Sequence, residues 1–245
     1  MTMTIYRDPE ALSHGAAELF VKAAAERVAA SGRFTIALSG GSTPRRTYEL
    51  LAAPPYRDRV PWAVVHVFWG DERCVPPDDE RSNERLARQL LLDRVPVPAA
   101  QIHPMRGAAD PAGAAAAYEA LLRREIGDRP GLDFVLLGLG DNGHTASLFP
   151  GTPVLEERTR LAAAVYVAEQ RMFRITLTAP FINRAALVAF VAAGDGKAQV
   201  VHDVLDGPRD SSRLPAQLIQ PVPGELHWLL DRAAARLVPD RAGGR

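Results

Sequence analysis

Residues 34–51 read FTIALSGGSTPRRTYELL, and this stretch decides the fold. Phe34 to Leu38 are apolar throughout and do not alternate with polar residues, the pattern of a strand buried on both faces of a sheet. Two glycines follow, then a proline that opens a helix over Pro44–Leu51. Strand, glycine-rich turn and helix in that order are the unit of an open α/β sheet. The same grammar runs outward in both directions. Pro9–Ala30 has apolar residues at helical spacing and stops at Gly32. Ala63–Trp69 (AVVHVFW) is a second buried strand, followed by a helix over Ser82–Leu92 with Ser82 as its cap. Ala112–Ile126 is helical, and Leu132–Leu137 (LDFVLL) is a third strand. Further strands are expected at Leu161–Val167, Phe173–Thr178 and Ala186–Ala192, then a helix at Lys197–Leu205 capped by Asp195. Leu226–Leu230 and Arg232–Leu237 close the chain as strand and helix. The expectation is a Rossmann-like α/β fold. It is one domain over 1–245, an open, mostly parallel sheet with helices on both faces, and a frayed tail at 239–245.

Composition narrows the function. Lys+Arg and Asp+Glu balance at 29 each, so no global field draws nucleic acid or anionic lipid, and affinity for an anion must be local. The single cysteine, Cys74, cannot form an intramolecular disulfide and fits a reducing compartment. The N-terminus lacks a basic segment followed by an apolar core, and no apolar run is long enough to cross a bilayer. A cytoplasmic protein is expected, with no membrane or nucleic-acid partner.

In open parallel sheets ligands bind beyond the carboxyl ends of the strands, and the chemistry-bearing residues fall there. After the first strand, Ser39, Gly40, Gly41, Ser42 and Thr43 combine close-approaching backbone, hydroxyls and a helix N-terminus, which suits a phosphate. No Gly-Lys-Ser/Thr follows, so this is not a nucleotide P-loop. A plain tight turn with Thr43 as N-cap is the alternative. After the second strand come Gly70-Asp71-Glu72-Arg73, charges that need solvent or a ligand. Arg73 could pair an anion, and Asp71 could accept from sugar hydroxyls or orient a catalytic group.

After the third strand, residues 138–151 read GLGDNGHTASLFPG. The match to G-x-G-x-x-G is incomplete, because Pro150 and Gly151 interrupt the helix a dinucleotide site requires. His144 on this loop is the candidate general base. His66 and His227 sit in strands, and His14, His103 and His202 stand alone. No pair has metal-ligand spacing, so neither a metal nor a cofactor is expected. Arg174 and Lys197 are the remaining cations. Lys197 opposes the dipole of the helix it opens unless an anion is near.

These segments together resemble the 6-phosphogluconolactonase family, within the superfamily that includes glucosamine-6-phosphate deaminases. The resemblance covers nearly the whole chain in order: LSGGSTPRRTYELL, WGDERCVPPDDERSNERL, GLGDNGHTASLFPG, RITLT and GDGKA. It implies a small-molecule sugar-phosphate lactone as substrate, hydrolysis of 6-phospho-D-glucono-1,5-lactone in the oxidative pentose phosphate pathway, no cofactor, and a monomer or weak homo-oligomer. It also implies that Ser39–Thr43, Arg174 and Lys197 hold the phosphate, that Asp71 and Arg73 line the sugar, and that His144 activates water; if the family aspartate tunes that histidine, either Asp71 or Asp141 stands in for it here, or the pKa is set differently. Asn142 is expected beside the substrate, where the family usually carries aspartate. The deaminases' glutamate has no counterpart in His144–Pro150, which argues against deamination.

Overall fold

The computed structural model describes residues 1–239. In chain order its elements are β1 (Thr2–Tyr6), α1 (Pro9–Ser31), β2 (Phe34–Leu38), α2 (Thr43–Leu51), α3 (Tyr56–Arg59), β3 (Val65–Trp69), β4 (Asp71–Arg73), α4 (Asn83–Leu90) and α5 (Pro111–Ile126). They continue with β5 (Phe134–Gly138), β6 (Ala162–Val167), β7 (Met172–Leu177), α6 (Ala179–Ile182), β8 (Leu187–Ala192), α7 (Ala198–Leu205) and β9 (Glu225–Asp231).

The main sheet has six strands in the order β1-β9-β8-β5-β2-β3, every neighbouring pair parallel. Its central strands are buried on both faces: Phe34, Ile36, Phe134 and Phe190 are all inaccessible, as their uninterrupted apolar runs require. The chain steps from β2 outward to β3 and later from β5 outward to β8 and β9. The order therefore reverses between β2 and β5, and that point is where such a sheet opens a crevice. Thr35 and Asp133 tie the two central strands together: the Asp133 carboxylate accepts from the Thr35 amide (2.8 Å) and hydroxyl (2.7 Å).

The open, mostly parallel sheet is as the sequence reading expects, but four local expectations fail. First, β6 and β7 do not join the main sheet; with β4 they form a separate three-stranded antiparallel sheet. Asp71–Arg73 is thus a strand, not a charged loop, because its charges are buried and partnered. Glu72 accepts from the amides of Arg73, Asn83 and Glu84 and from the Ser82 hydroxyl. Second, β1 pairs with β9 at the sheet edge, a strand too short and half-exposed for its pattern to stand out. Third, residues 232–237 form turns and not a helix, with the Asp231 carboxylate accepting from the Ala234 amide at 2.7 Å. Fourth, Asp195 does not cap α7: its carboxylate is taken by Arg236, and a 3-10 turn over Asp195–Lys197 precedes the helix. Ser82 does cap α4, accepting from the Arg85 amide at 3.1 Å. Residues 240–245 of the expected tail lie outside the described residues.

The turn after β2 is held from behind by Tyr48, which is wholly buried on α2. Its hydroxyl accepts from the Ser39 amide (3.0 Å) and donates to the Ser39 carbonyl (2.6 Å). Tyr48→Phe strips both partners from a half-buried peptide, at a cost of about 1–3 kcal/mol. Urea unfolding should show that loss with an unchanged slope; a loss too small to measure would mean that water replaces the hydroxyl.

Candidate active site

A cleft of about 170 Å³ opens where the strand order reverses. One wall is the turn Ser39–Thr43. Gly40 is obligatory there, because a Cβ at that position would lie 1.8 Å from Asn83 Oδ1. Ser42 stands at the N-cap of α2 without a side-chain cap bond, so neither it nor Thr43 is the capping residue of a plain turn, and both line the cleft.

The floor is built around Asp71, which is only 5% exposed. One carboxylate oxygen accepts from the Ser147 hydroxyl at 2.6 Å and from Arg174 Nη1 at 3.3 Å. The other takes the Asn83 amide at 3.2 Å, and the same amide reaches the Asp71 carbonyl at 2.8 Å. Arg174 is spread further, with Nη2 bonded to Gln170 and its guanidinium 5.3 Å over the Phe149 ring. Arg73 donates through Nη1 to the Arg81 carbonyl at 2.5 Å. Among the described residues, Arg73 Nε and Arg174 Nε have no hydrogen-bond partner although both atoms are buried. Two guanidinium donors buried without a partner are a costly arrangement.

His144 forms the opposite wall. The loop that carries it is cross-tied: the Gly140 amide donates to the His144 carbonyl at 2.8 Å, and the Thr145 hydroxyl to the Gly138 carbonyl at 2.8 Å. The imidazole stacks on Phe149 with centroids 4.0 Å apart and packs so close to Gly140 that a Cβ there would be 2.0 Å from the ring. Asn142 Oδ1 lies 2.6 Å from Nδ1 and also accepts from the His144 amide at 3.2 Å. A backbone amide can only donate, so the Asn142 atom is oxygen and Nδ1 carries the ring proton. Nε2 therefore keeps its lone pair. Burial pushes the imidazole down to about 4; Asp71 and Asp141 oppose the fall, and Arg174 and Lys197 add to it.

Lys197 Nζ donates to the Leu139 carbonyl (2.7 Å) and to Asp141 (2.6 Å), which supplies the anion its position at a helix start calls for. Ten of the residues singled out in the sequence line this one cleft: Ser39–Thr43, Asp71, Arg73, His144, Arg174 and Lys197. Asn142 does not; it sits behind the imidazole and faces a neighbouring hollow. Asp71 makes no hydrogen bond to His144, its bonds running instead to Ser147, Arg174 and Asn83. Asn83 and Ser147 were not singled out. Their role depends on contacts with Asp71 from 12 and 76 residues away, which no local pattern announces.

Comparisons with known proteins agree on one family. A family model described as glucosamine-6-phosphate isomerases/6-phosphogluconolactonase matches residues 7–228. The chain is 48% identical over 218 residues to a 6-phosphogluconolactonase of Synechocystis sp., covering 87% of this chain and 86% of that one. It is 45% identical over 238 residues to a 6-phosphogluconolactonase of Nostoc sp., covering 95% and 96%. Among solved structures, the 6-phosphogluconolactonase from Trypanosoma cruzi superposes with a TM-score of 0.86 at 28% identity, over 97% of each chain.

The His144 geometry makes a prediction independent of any substrate. Followed by NMR, its imidazole should titrate near 4 rather than the ordinary 6.5. Asn142→Asp places a negative charge against Nδ1–H, stabilises the imidazolium and should raise that value by about 1–3 units. An ordinary titration in the native chain, or no rise in the variant, would contradict the arrangement.

Proposed function

The chain belongs to the glucosamine-6-phosphate isomerase/6-phosphogluconolactonase family, and from that membership we propose that it hydrolyses 6-phospho-D-glucono-1,5-lactone to 6-phospho-D-gluconate in the oxidative pentose phosphate pathway of the cytoplasm. The observation that carries this reading is the pairing across one cleft of a neutral imidazole with a free Nε2 and three cationic side chains, Arg73, Arg174 and Lys197.

In the proposed reaction, the Ser39–Thr43 turn, Lys197 and Arg174 hold the 6-phosphate, and Arg73 lies along the sugar. Water attacks C1 while His144 Nε2 takes its proton, and the carbonyl oxygen becomes an oxyanion. Collapse of that oxyanion breaks the bond from C1 to the ring oxygen, which recovers the proton from the imidazolium. The products are the C5 hydroxyl and a carboxylic acid, which releases its proton to solvent to become the carboxylate. Asn142 fixes the tautomer but offers no charge to stabilise the imidazolium, so His144 is a weak base and a correspondingly strong acid. An activated lactone tolerates the first property and its alkoxide leaving group uses the second. Asp71 positions Arg174 and Ser147 and moves no proton.

His144→Asn should lower kcat by at least ~10²-fold, after correction for spontaneous opening, with KM little changed. Near-native turnover in the folded variant would remove the general-base assignment. Lys197→Ala tests the phosphate site. One charge-assisted bond is worth about 1.5–3 kcal/mol, so KM for the phosphorylated lactone should rise roughly ten- to a hundredfold. Unphosphorylated gluconolactone should be turned over as by the parent. Equal losses on both would place the phosphate elsewhere. Arg174→Ala is the poorer test, because it also leaves the Asp71 carboxylate without its cation.

A further inference from the structure

A second group of chemistry-bearing side chains lies on the other half of the molecule. His66 is the second residue of β3, about 10 Å along the strand from its carboxyl end at the rate of ~3.3 Å per residue. His103 belongs to the segment that covers this sheet edge, its amide donating to the Val67 carbonyl at 2.8 Å. Its ring stacks on Phe68, with centroids 4.5 Å apart, and beside His66 at 5.6 Å. Glu125 reaches in from the last turn of α5.

These residues come from three separate elements, yet one donor atom from each lies within 4.8 Å of the others. His66 Nδ1 and His103 Nε2 are 3.3 Å apart, and His66 Nδ1 and Glu125 Oε2 are 4.0 Å apart. Zinc bonds of about 2.0–2.1 Å at the tetrahedral angle set neighbouring nitrogen ligands roughly 3.4 Å apart, so the two imidazoles already hold that edge. The carboxylate needs only a small rotation. Its other oxygen is held by Arg124 Nε at 3.0 Å, which orients Oε2 toward the imidazoles, as outer partners of metal ligands do. Burial pushes His66 down to about 4 and lowers His103, so both rings are neutral and able to ligate at neutral pH.

We propose that His66, His103 and Glu125 form a binding site for one divalent ion of the zinc class, remote from the cleft and independent of the proposed hydrolysis. In the metal-free protein one ring proton lies between the two nitrogens. Binding moves that proton to the far nitrogen of its ring, and the ion takes its place with no net proton release. Three protein ligands leave a fourth position to water. Arg33 and Arg129 lie near enough to oppose positive charge at His66, which keeps the affinity below that of a four-ligand structural site.

The test uses the full chain, stripped with chelator and titrated with Zn²⁺ by calorimetry and with Co²⁺ by its visible ligand-field bands. One ion per chain is expected. His66→Ala, His103→Ala and Glu125→Gln should each weaken binding at least ~10-fold, while His144→Asn leaves it unchanged. Glu125→Gln alters a partly exposed side chain and keeps the test valid if a histidine variant misfolds. Absence of saturable binding in the native chain, binding that survives all three substitutions, or binding lost in His144→Asn would each overturn the proposal.

Discussion

The buried ion pair between Asp71 and Arg174 is the contact on which the cleft depends. Both side chains are only 7% exposed, and their partners come from separate parts of the chain. Asp71 lies on β4, Arg174 on β7, Ser147 on the loop that carries His144, and Asn83 at the start of α4. The small antiparallel sheet is therefore pinned to the His144 loop and to the wall of the Ser39–Thr43 turn through one carboxylate. Removing a single member of such a pair leaves the other buried and uncompensated, which typically costs about 3–5 kcal/mol. The arrangement persists because every oxygen of Asp71 is partnered.

Much of this was legible in the sequence, for a physical reason. Strands buried on both faces must be apolar throughout, so Phe34–Leu38 and Phe134–Leu137 declare themselves. The loops that leave their carboxyl ends must carry the chemistry. Ser39–Thr43 and His144 lie on such loops, and the structure brings them to one cleft. What stayed hidden depended on pairing at a distance. Asp71-Glu72-Arg73 looks like a solvated loop until Glu72 is seen accepting three backbone amides, and its burial pushes that carboxyl up to about 7. Asn142 looked like a substrate contact because it neighbours His144 in sequence; folding turns it behind the ring. His66 and His103 looked solitary because 37 residues separate them, and only the cover over the β3 edge brings them together.

The two conspicuous polar clusters are electrically different, and that difference matches what each can bind. At the β3 edge, neutral imidazoles and a carboxylate present electron pairs inward. In the cleft, three cationic side chains, Arg73, Arg174 and Lys197, line one space with the carboxylate of Asp71. Since the chain as a whole carries no net charge, this excess is local and short-ranged. Neutral ligands gain little from it, while a phosphate gains at every cation.

That local field also bears on the proton affinity of His144. With the cleft empty of anion, burial dominates and the neighbouring cations add to it, so the imidazole is held near 4. Such a base is fully available at neutral pH but has little appetite for a proton. On the proposed function, a bound phosphate dianion changes the balance. It satisfies Lys197 and Arg174, cancels the positive field that depresses the imidazole, and raises its proton affinity in the complex alone. The substrate's non-reacting end then does more than position C1: it tunes the base that acts there. Asn142 is suited to this scheme because it is neutral. A permanent carboxylate at that position would stabilise the imidazolium whether or not substrate were present. It would also hold back the proton that the departing ring oxygen must receive.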